Sequence, residues 1–392
     1  MSVFVPIPVS EQAVSHTWKT TIQENINGGE KRSAIFTWPR VTLDNTYQLT
    51  TDEEIRFMHT HLFREVNGVW GIPVFSDVTT LTAEAASGQK VMTVAATDYR
   101  HFYSGRHFIL VDPNNWESDE VGVTGTVDSA TQITTEENLE YTWPIGTLVY
   151  PIFGCWISDT QKLSAPYYKI NGIRIEAKER IATDRHPGYT LPTIDTGVFP
   201  VYNSLNLFLK RPQNPAAEQY NFPHEVLRFN GYDTDWYQPG RETRVLFNRT
   251  HLYTSKKEIY DLLDFFDAKQ GRFGSFYLPT YMEDIKINTA FLLGDTVLDV
   301  KTMYYTETEI VGKHVYIQFP DGSYVCREIS ASTGDTSITL DSAIGTTVQL
   351  GSLPQVLCCF LYEVRFNIDE LKIDYMKRDA LAKIQMSFKQ LL

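Results

Sequence analysis

The residues of this chain that are able to do chemistry are scattered along its 392 positions. Four cysteines stand at Cys155, Cys326, Cys358 and Cys359. Two isolated thiols and one adjacent pair match neither a zinc spacing nor a disulfide framework. They read as free thiols that fill space as small hydrophobes. His59 and His61 lie two apart on an expected helix, so they face different ways and do not share a metal. The run from Asp112 to Glu120 gathers Asp112, Glu117, Asp119 and Glu120. Those oxygens would suit calcium, and a solvated acidic turn is the plainer reading. The sequence offers no glycine-rich phosphate loop, serine elbow, paired metal histidines or Cys-x-x-Cys. Asn248-Arg249-Thr250 fits a glycosylation sequon, but Met1 to Pro6 lacks the features of a secretory leader, so the match reads as accidental. With no acid, base and nucleophile converging, the chain reads as non-enzymatic, with no cofactor and no metal.

What must be positioned, then, is structure. The chain carries 22 Tyr, 22 Phe and 7 Trp, and such rings with many Thr, Val and Ile favour strands. A formal charge of −13 argues against gripping nucleic acid through its phosphates. It suits a wall along which DNA slides without sticking. No apolar run approaches the ~20 residues of a membrane span, so no membrane insertion is expected.

The sequence also repeats itself. Gly28-Gly29-Glu30-Lys31-Arg32 has a later counterpart in Gly240-Arg241-Glu242-Thr243-Arg244. Strand-like stretches follow, Ser33 to Arg40 and Val245 to Arg249. Thr51 with Glu54, and Ser255 with Glu258, then form capping boxes, in which the hydroxyl and the Glu satisfy free amides of the first helical turn. Ile55, Met58, Leu62 and Phe63 recur at helical spacing, as do Ile259, Leu262, Leu263 and Phe266. These predict helices over 51–67 and 255–270, stopped by Gly68 and Gly271 in left-handed turns. An apolar strand closing on an acid comes next in each copy, at Asp77 and at Asp284. Further on, Gly105 to Leu110 matches Gly312 to Ile317, and Asp128 to Thr134 matches Gly334 to Thr339. The return strands are read as Gly172 to Ala177 and Leu361 to Phe366. Arg32 and Arg244 either pair with a carboxylate at a subunit contact or solvate a strand end.

The fold class expected is α+β, mostly β, as two tandem copies of a sheet-plus-one-helix unit. Each copy carries an inserted small β-barrel or sandwich. The first unit takes residues 1–84 and 156–182, with its insert at 85–155. The second takes 239–289 and 359–392, with its insert at 290–358. Between them, 183–238 reads as a Pro-rich linker or arm.

Gly240 to Arg244, the helix end from Phe265 to Gly271-Arg272, Phe276-Tyr277-Leu278-Pro279 and Tyr362 to Asp369 together resemble the distal tail protein family of long-tailed bacteriophages and gene transfer agents. The similarity is good over residues 240–390 and weaker over 25–180. It implies a structural virion protein of the tail tip or baseplate, assembled in the host cytoplasm. Its partners would be the tail tube protein, hub or tip proteins, and itself as a ring around the DNA exit channel. Six copies are expected around that ring, or alternatively three with pseudo-sixfold symmetry. A carbohydrate- or receptor-binding module is the alternative that the aromatics and small β-domains support.

Overall fold

The computed structural model describes residues 2–3, 12–25, 29–49, 51–52, 56, 60, 68–113, 115–157, 162–167, 170–180, 190–213, 217–221, 225–229, 232–237, 244–303, 305, 307–377 and 381–391. The protein is mostly β, with half of its residues in strands, 9% in helix and one large antiparallel sheet. The first half contributes β1 (Ser2–Val3), β2 (Gln12–Thr17), β3 (Thr20–Glu24), β4 (Glu30–Ala34), β5 (Arg40–Leu49), β6 (Trp70–Pro73) and β7 (Thr79–Thr80). It continues through β8 (Val91–Thr93), β9 (His107–Asp112), β10 (Asn115–Ser129), β11 (Gln132–Thr135), β12 (Leu148–Ile157), β13 (Lys162–Tyr167) and β14 (Ile170–Glu179). The second half begins with β15 (Val201–Tyr202), β16 (Leu205–Asn206), β17 (Ala217–Asn221), β18 (Glu225–Phe229), β19 (Tyr232–Tyr237) and β20 (Arg244–Tyr253). Then come α1 (Lys256–Ala268), β21 (Ser275–Pro279), β22 (Val297–Asp299), β23 (His314–Gln318), β24 (Tyr324–Thr333), β25 (Ser337–Leu340), β26 (Leu357–Phe366), β27 (Glu370–Lys377) and β28 (Leu381–Gln390). Among the described residues no helix is long and apolar enough to cross a membrane.

Alternation builds the strands. In β28, Ala382, Ile384, Met386 and Phe388 turn inward, while Lys383 and Gln385 face water. In β14, Ile173, Ile175 and Ala177 are buried between exposed Arg174 and Lys178. The broad face of the sheet runs β13–β14–β5–β2–β27–β28–β20–β17, every neighbour antiparallel. Its middle is the seam between the two halves. There Val14 of β2 lies opposite Leu43 on one side and Ile373 on the other. One apolar core spans this seam, from Val14, Leu43 and Ile173 to Phe247, Phe266 and Phe388. Among the described residues three smaller cores stand apart, one around Met92, Phe108 and Trp143, one around Leu298, Ile317 and Phe360, and one around Leu207, Tyr277 and Tyr316.

The pairings of the first half recur in the second. β12 joins β6, β9 and β14; β26 joins β21, β23 and β28. β9–β10–β11–β8 forms the same chain of ladders as β23–β24–β25–β22. Gly105 and Gly312 enter β9 and β23 with φ of 76° and 85°, conformations that cost a glycine nothing.

These ladders also correct the matches made by residue type. β4 ends at Ala34 and β5 starts at Arg40. The strand paired as β20 is therefore Arg40–Leu49, and not the stretch from Ser33 to Arg40. Gly172 to Ala177 belongs to β14, which is placed as β28 is. Leu361 to Phe366 belongs to β26, placed as β12 is. Period-two alternation is common to every strand of a half-buried sheet, so pattern alone does not say which strand is which. The Pro-rich linker or arm packs onto the rest of the fold where it is described. Phe199 and Phe208 sink into the main core, and Leu207 bridges in parallel to Tyr277.

Candidate functional site

The helix α1 is set by the predicted cap. Ser255 Oγ accepts the Glu258 amide at 3.2 Å, and Glu258 returns a carboxylate oxygen to the amide of Thr254 at 3.1 Å. Ile259, Leu262, Leu263 and Phe266 are buried as the spacing requires. At the other end the left-handed turn begins one residue earlier than expected. Gln270 (φ 53°) takes the position after the cap and Gly271 (φ 62°) follows. The Gly271 amide reaches Phe266 O, and the Gln270 amide reaches Asp267 O, the two bonds of a Schellman turn. Gly271 is needed for closeness as well. A Cβ there would stand 3.0 Å from Asp369 Oδ1 and 3.1 Å from Trp18 Cβ.

That helix is seated against the first half by charged groups on its buried stripe. Lys256 Nζ donates to Ser76 O at 2.8 Å and to the carboxylate of Asp77. The same carboxylate accepts the Tyr260 hydroxyl at 2.9 Å and the His101 amide at 3.0 Å, and it touches the His101 ring. Burial opposes the charge on Asp77, yet Lys256 and His101 hold it well below the usual carboxylate range. Burial pushes His101 down, against the pull of Asp77. In the last turn of the helix, Asp267 accepts from Trp18 Nε1 and meets His16 Nδ1, both at 2.9 Å. Arg272, beyond the turn, binds Asp369 Oδ2 at 2.6 Å and Thr20 O at 3.2 Å.

A second clamp closes the other side of the seam. Glu30 of β4 is gripped by Arg365 of β26 through two bonds, at 2.7 and 3.0 Å. Lys389 of β28 adds a contact at 3.1 Å. Although burial raises it, these cations bring the Glu30 carboxyl down to about 2. The Gly-Gly-Glu-Lys-Arg stretch and the Val-Arg-Phe strand, singled out separately in the sequence, thus meet across the seam.

Beside α1 opens a cleft of about 640 Å³, walled by Tyr99, His101, Tyr103, Arg106, Tyr260 and Asp264. Tyr99 and Tyr103 are 41% and 45% exposed. Asp264, at the rim, is raised to about 6 by partial burial and by the neighbouring charges of Asp267 and Asp261. The cleft therefore offers aromatic faces with cations and an acid beside them.

Of the residues singled out in the sequence, Glu30, Ser255, Glu258, Phe266, Gly271 and Arg272 are brought to the seam or the helix seated on it. Arg32 is half-buried near Glu30 and Arg365, and its Nη1 has no hydrogen-bond partner among the described residues. Thr51 is exposed, Gly68 is half-buried, and Arg244 starts β20. Gly28, Glu54, Gly240 and Glu242 lie outside the described residues, as do His59 and His61 and most of the helix expected at 51–67. In the acidic run, Glu120 is occupied by the segment from Glu140 to Trp143. It accepts the Glu140 amide at 2.7 Å and Trp143 Nε1 at 2.6 Å. No group of three His, Cys, Asp or Glu suited to a metal occurs among the described residues. All four cysteines are buried, and burial pushes Cys326 up to about 12. Sequence reasoning missed His16, Trp18, His101, Lys256, Tyr260 and Asp267. The signal was there: Lys256, Tyr260, Leu263 and Asp267 step by three and four along the apolar stripe, and a charge on such a stripe requires a buried partner.

No protein-family model matches the sequence, and no curated protein matches it.

Proposed function

We propose that the chain is a structural protein of a bacteriophage tail tip. It acts as a distal adaptor that forms a ring between the tail tube and the hub and lines the DNA exit channel. It is made as two tandem copies of one sheet-plus-helix unit, each with an inserted small β-domain. The observation that carries this reading is the recurrence of ladders in the two halves, placed side by side in one sheet. Even small features repeat. β13 meets β14, and β27 meets β28, with the same register break near the turn. Val3 bridges in parallel to Gly71, as Leu207 does to Tyr277. Repeated units joined side by side suit a ring, in which one contact recurs around an axis. The charge of −13 suits a channel through which DNA must pass freely. Negative-stain images of the purified protein, with peptide mapping of virions, test the reading. Annular particles and presence in tails are expected; a monomer at every concentration and in the virion would overturn it.

The cleft favours a second reading, a glycan- or receptor-binding module within the same tip. Exposed Tyr99 and Tyr103 beside Arg106 provide the stacking faces and donors that sugars use. Glycan-array binding that is lost in Tyr99→Ala and Tyr103→Ala would support it.

A further inference from the structure

The two halves do not meet by a symmetric contact. β2, the last strand of the first half's face (β13–β14–β5–β2), pairs with β27, the first strand of the second half's face (β27–β28–β20–β17). By their pairings β17 holds the place of β2, and β13 holds the place of β27. The internal seam is therefore a head-to-tail junction between unlike edges. The eight-stranded face carries one more copy of each edge at its two ends. Among the described residues β13 pairs only with β14, and β17 only with β20.

We infer that copies of this chain join head to tail by antiparallel pairing of β17 of one copy with β13 of the next, repeating the β2–β27 ladder between molecules. The known registers fix the new one. Ala13 faces Asp374 across the seam, so Ala217 faces Ser164, and Gln219 faces Lys162. The sequence agrees with the length of this ladder. The internal one ends at Gln12 and Tyr375. In the outer one Pro215 and Pro166 fall just past the corresponding ends, where residues without an amide proton no longer need to pair. Lys162 and Leu163 of β13 repeat the types of Lys372 and Ile373. A heterologous contact of this kind closes into a ring or runs on as a filament. Under the tail-tip reading, six units around the axis are three chains whose halves alternate.

The inference shares with that reading only the need for the chain to meet its own copies, and the test separates them. In the full-length Ala217→Cys/Ser164→Cys double variant, mild oxidation should shift the 44.9 kDa band to its multiples, reversibly by thiol reductant. Directly opposed strand residues lie within disulfide reach, and the four native thiols are buried. Mixing the two single variants should stop at a dimer, because each then offers one reactive edge. Each single variant alone should stay monomeric under oxidation, with wild-type thermal stability. Dimers from Ala217→Cys alone would reveal a symmetric contact and overturn the inference. So would rings in native mass spectrometry with no cross-link in the double variant, an outcome that leaves the tail-tip reading standing. Cross-linked species ending at a number other than three would leave the interface and remove the alternating sixfold ring.

Discussion

β2 and β17 occupy the same place in the two halves, β2 beside β5 and β17 beside β20. Their residues differ as their neighbours do. In β2, covered by β27, every residue from Gln12 to His16 is buried. Part of its polar surface is matched: Gln12 Oε1 accepts the Ser76 amide at 2.6 Å, and His16 Nδ1 meets Asp267, while Gln12 Nε2 and His16 Nε2 have no hydrogen-bond partner among the described residues. β17 reads Ala-Glu-Gln-Tyr-Asn, and Gln219 is exposed. Where Val14 sits 2% exposed, the outer strand has Glu218. An edge with charges and a flanking proline resists casual pairing, while an edge covered within the chain is free to be apolar. The lesson is that equivalent strand positions carry different residues, apolar where β27 covers the strand and charged where, among the described residues, only β20 pairs with it.

The most severe way to break this comparison is to move the outer residue inward. Val14→Glu places an unpaired carboxylate in the main core and should cost more than about 4 kcal/mol, enough to prevent folding at moderate temperature. The matching exchange on the outer strand, Gln219→Val at an exposed position, should change monomer stability by less than about 0.5 kcal/mol. Urea denaturation of both variants checks the pair, and equal costs would mean that the two edges are not differently used.

Next in size is the clamp that holds the covered seam. Arg365→Met leaves Glu30 buried without its bidentate partner and should cost about 3–5 kcal/mol. The double variant Arg365→Met/Glu30→Gln should recover much of that, since no uncompensated charge remains. Glu30 titrates near 2 when folded against an ordinary 4.5. Its contribution is therefore complete above pH 4.5 and is lost as pH falls toward 2. Glu30→Gln should lack the slope of stability against pH in that window.

Much of the second half could be read from the residues alone. The Ser255–Glu258 cap, the stripe of α1 and its turn were visible because they are local, set within four residues of chain. The paired Gly105 and Gly312 were visible because a left-handed turn restricts the residue types allowed. The strand identities were not legible. Polar alternation looks the same in β4, β5, β14 and β26, and only long-range pairing separates them. The clamps failed to show for a related reason. Glu30 and Arg365 are far apart in sequence, and each alone is an unremarkable charge on a strand. Lys256 and Asp267 did leave a trace, as charges on an apolar stripe, but their partners Asp77 and His16 belong to the other half.

A smaller effect separates the halves at one equivalent position inside the core. Tyr47 of β5 and His251 of β20 hold the same register, facing Ile173 and Ile384. Both are fully buried, but only His251 titrates in the mildly acid range. Burial, then Arg249, pushes it down to about 3 from 6.5. The unfolded chain takes up this proton below 6.5 and the folded chain does not, so stability falls as pH drops through that range. At pH 5 the loss is about 2 kcal/mol. His251→Phe should reduce the slope of melting temperature against pH between 6.5 and 5, where Glu30 contributes no slope. An unchanged slope would mean that the ring is solvated and protonates freely.

The smallest effect bears directly on the uncovered edge. In the inferred register Gln219 faces Lys162 of the next copy. Opposed charges across two strands contribute about 0.2–1 kcal/mol, and like charges destabilise by similar amounts. Gln219→Glu should therefore tighten self-association by up to about fivefold, and Gln219→Lys should weaken it by a similar factor. Both shifts should shrink in high salt, because position 219 is open to solvent. Monomer stability should stay within about 0.5 kcal/mol of wild type in both, because the side chain is exposed. Sedimentation of the two variants at low and high salt reads the sign directly. Opposite shifts of the association constant place Lys162 across from Gln219, whereas shifts of one sign, or none in a protein that still assembles, would show that some other edge carries the contact.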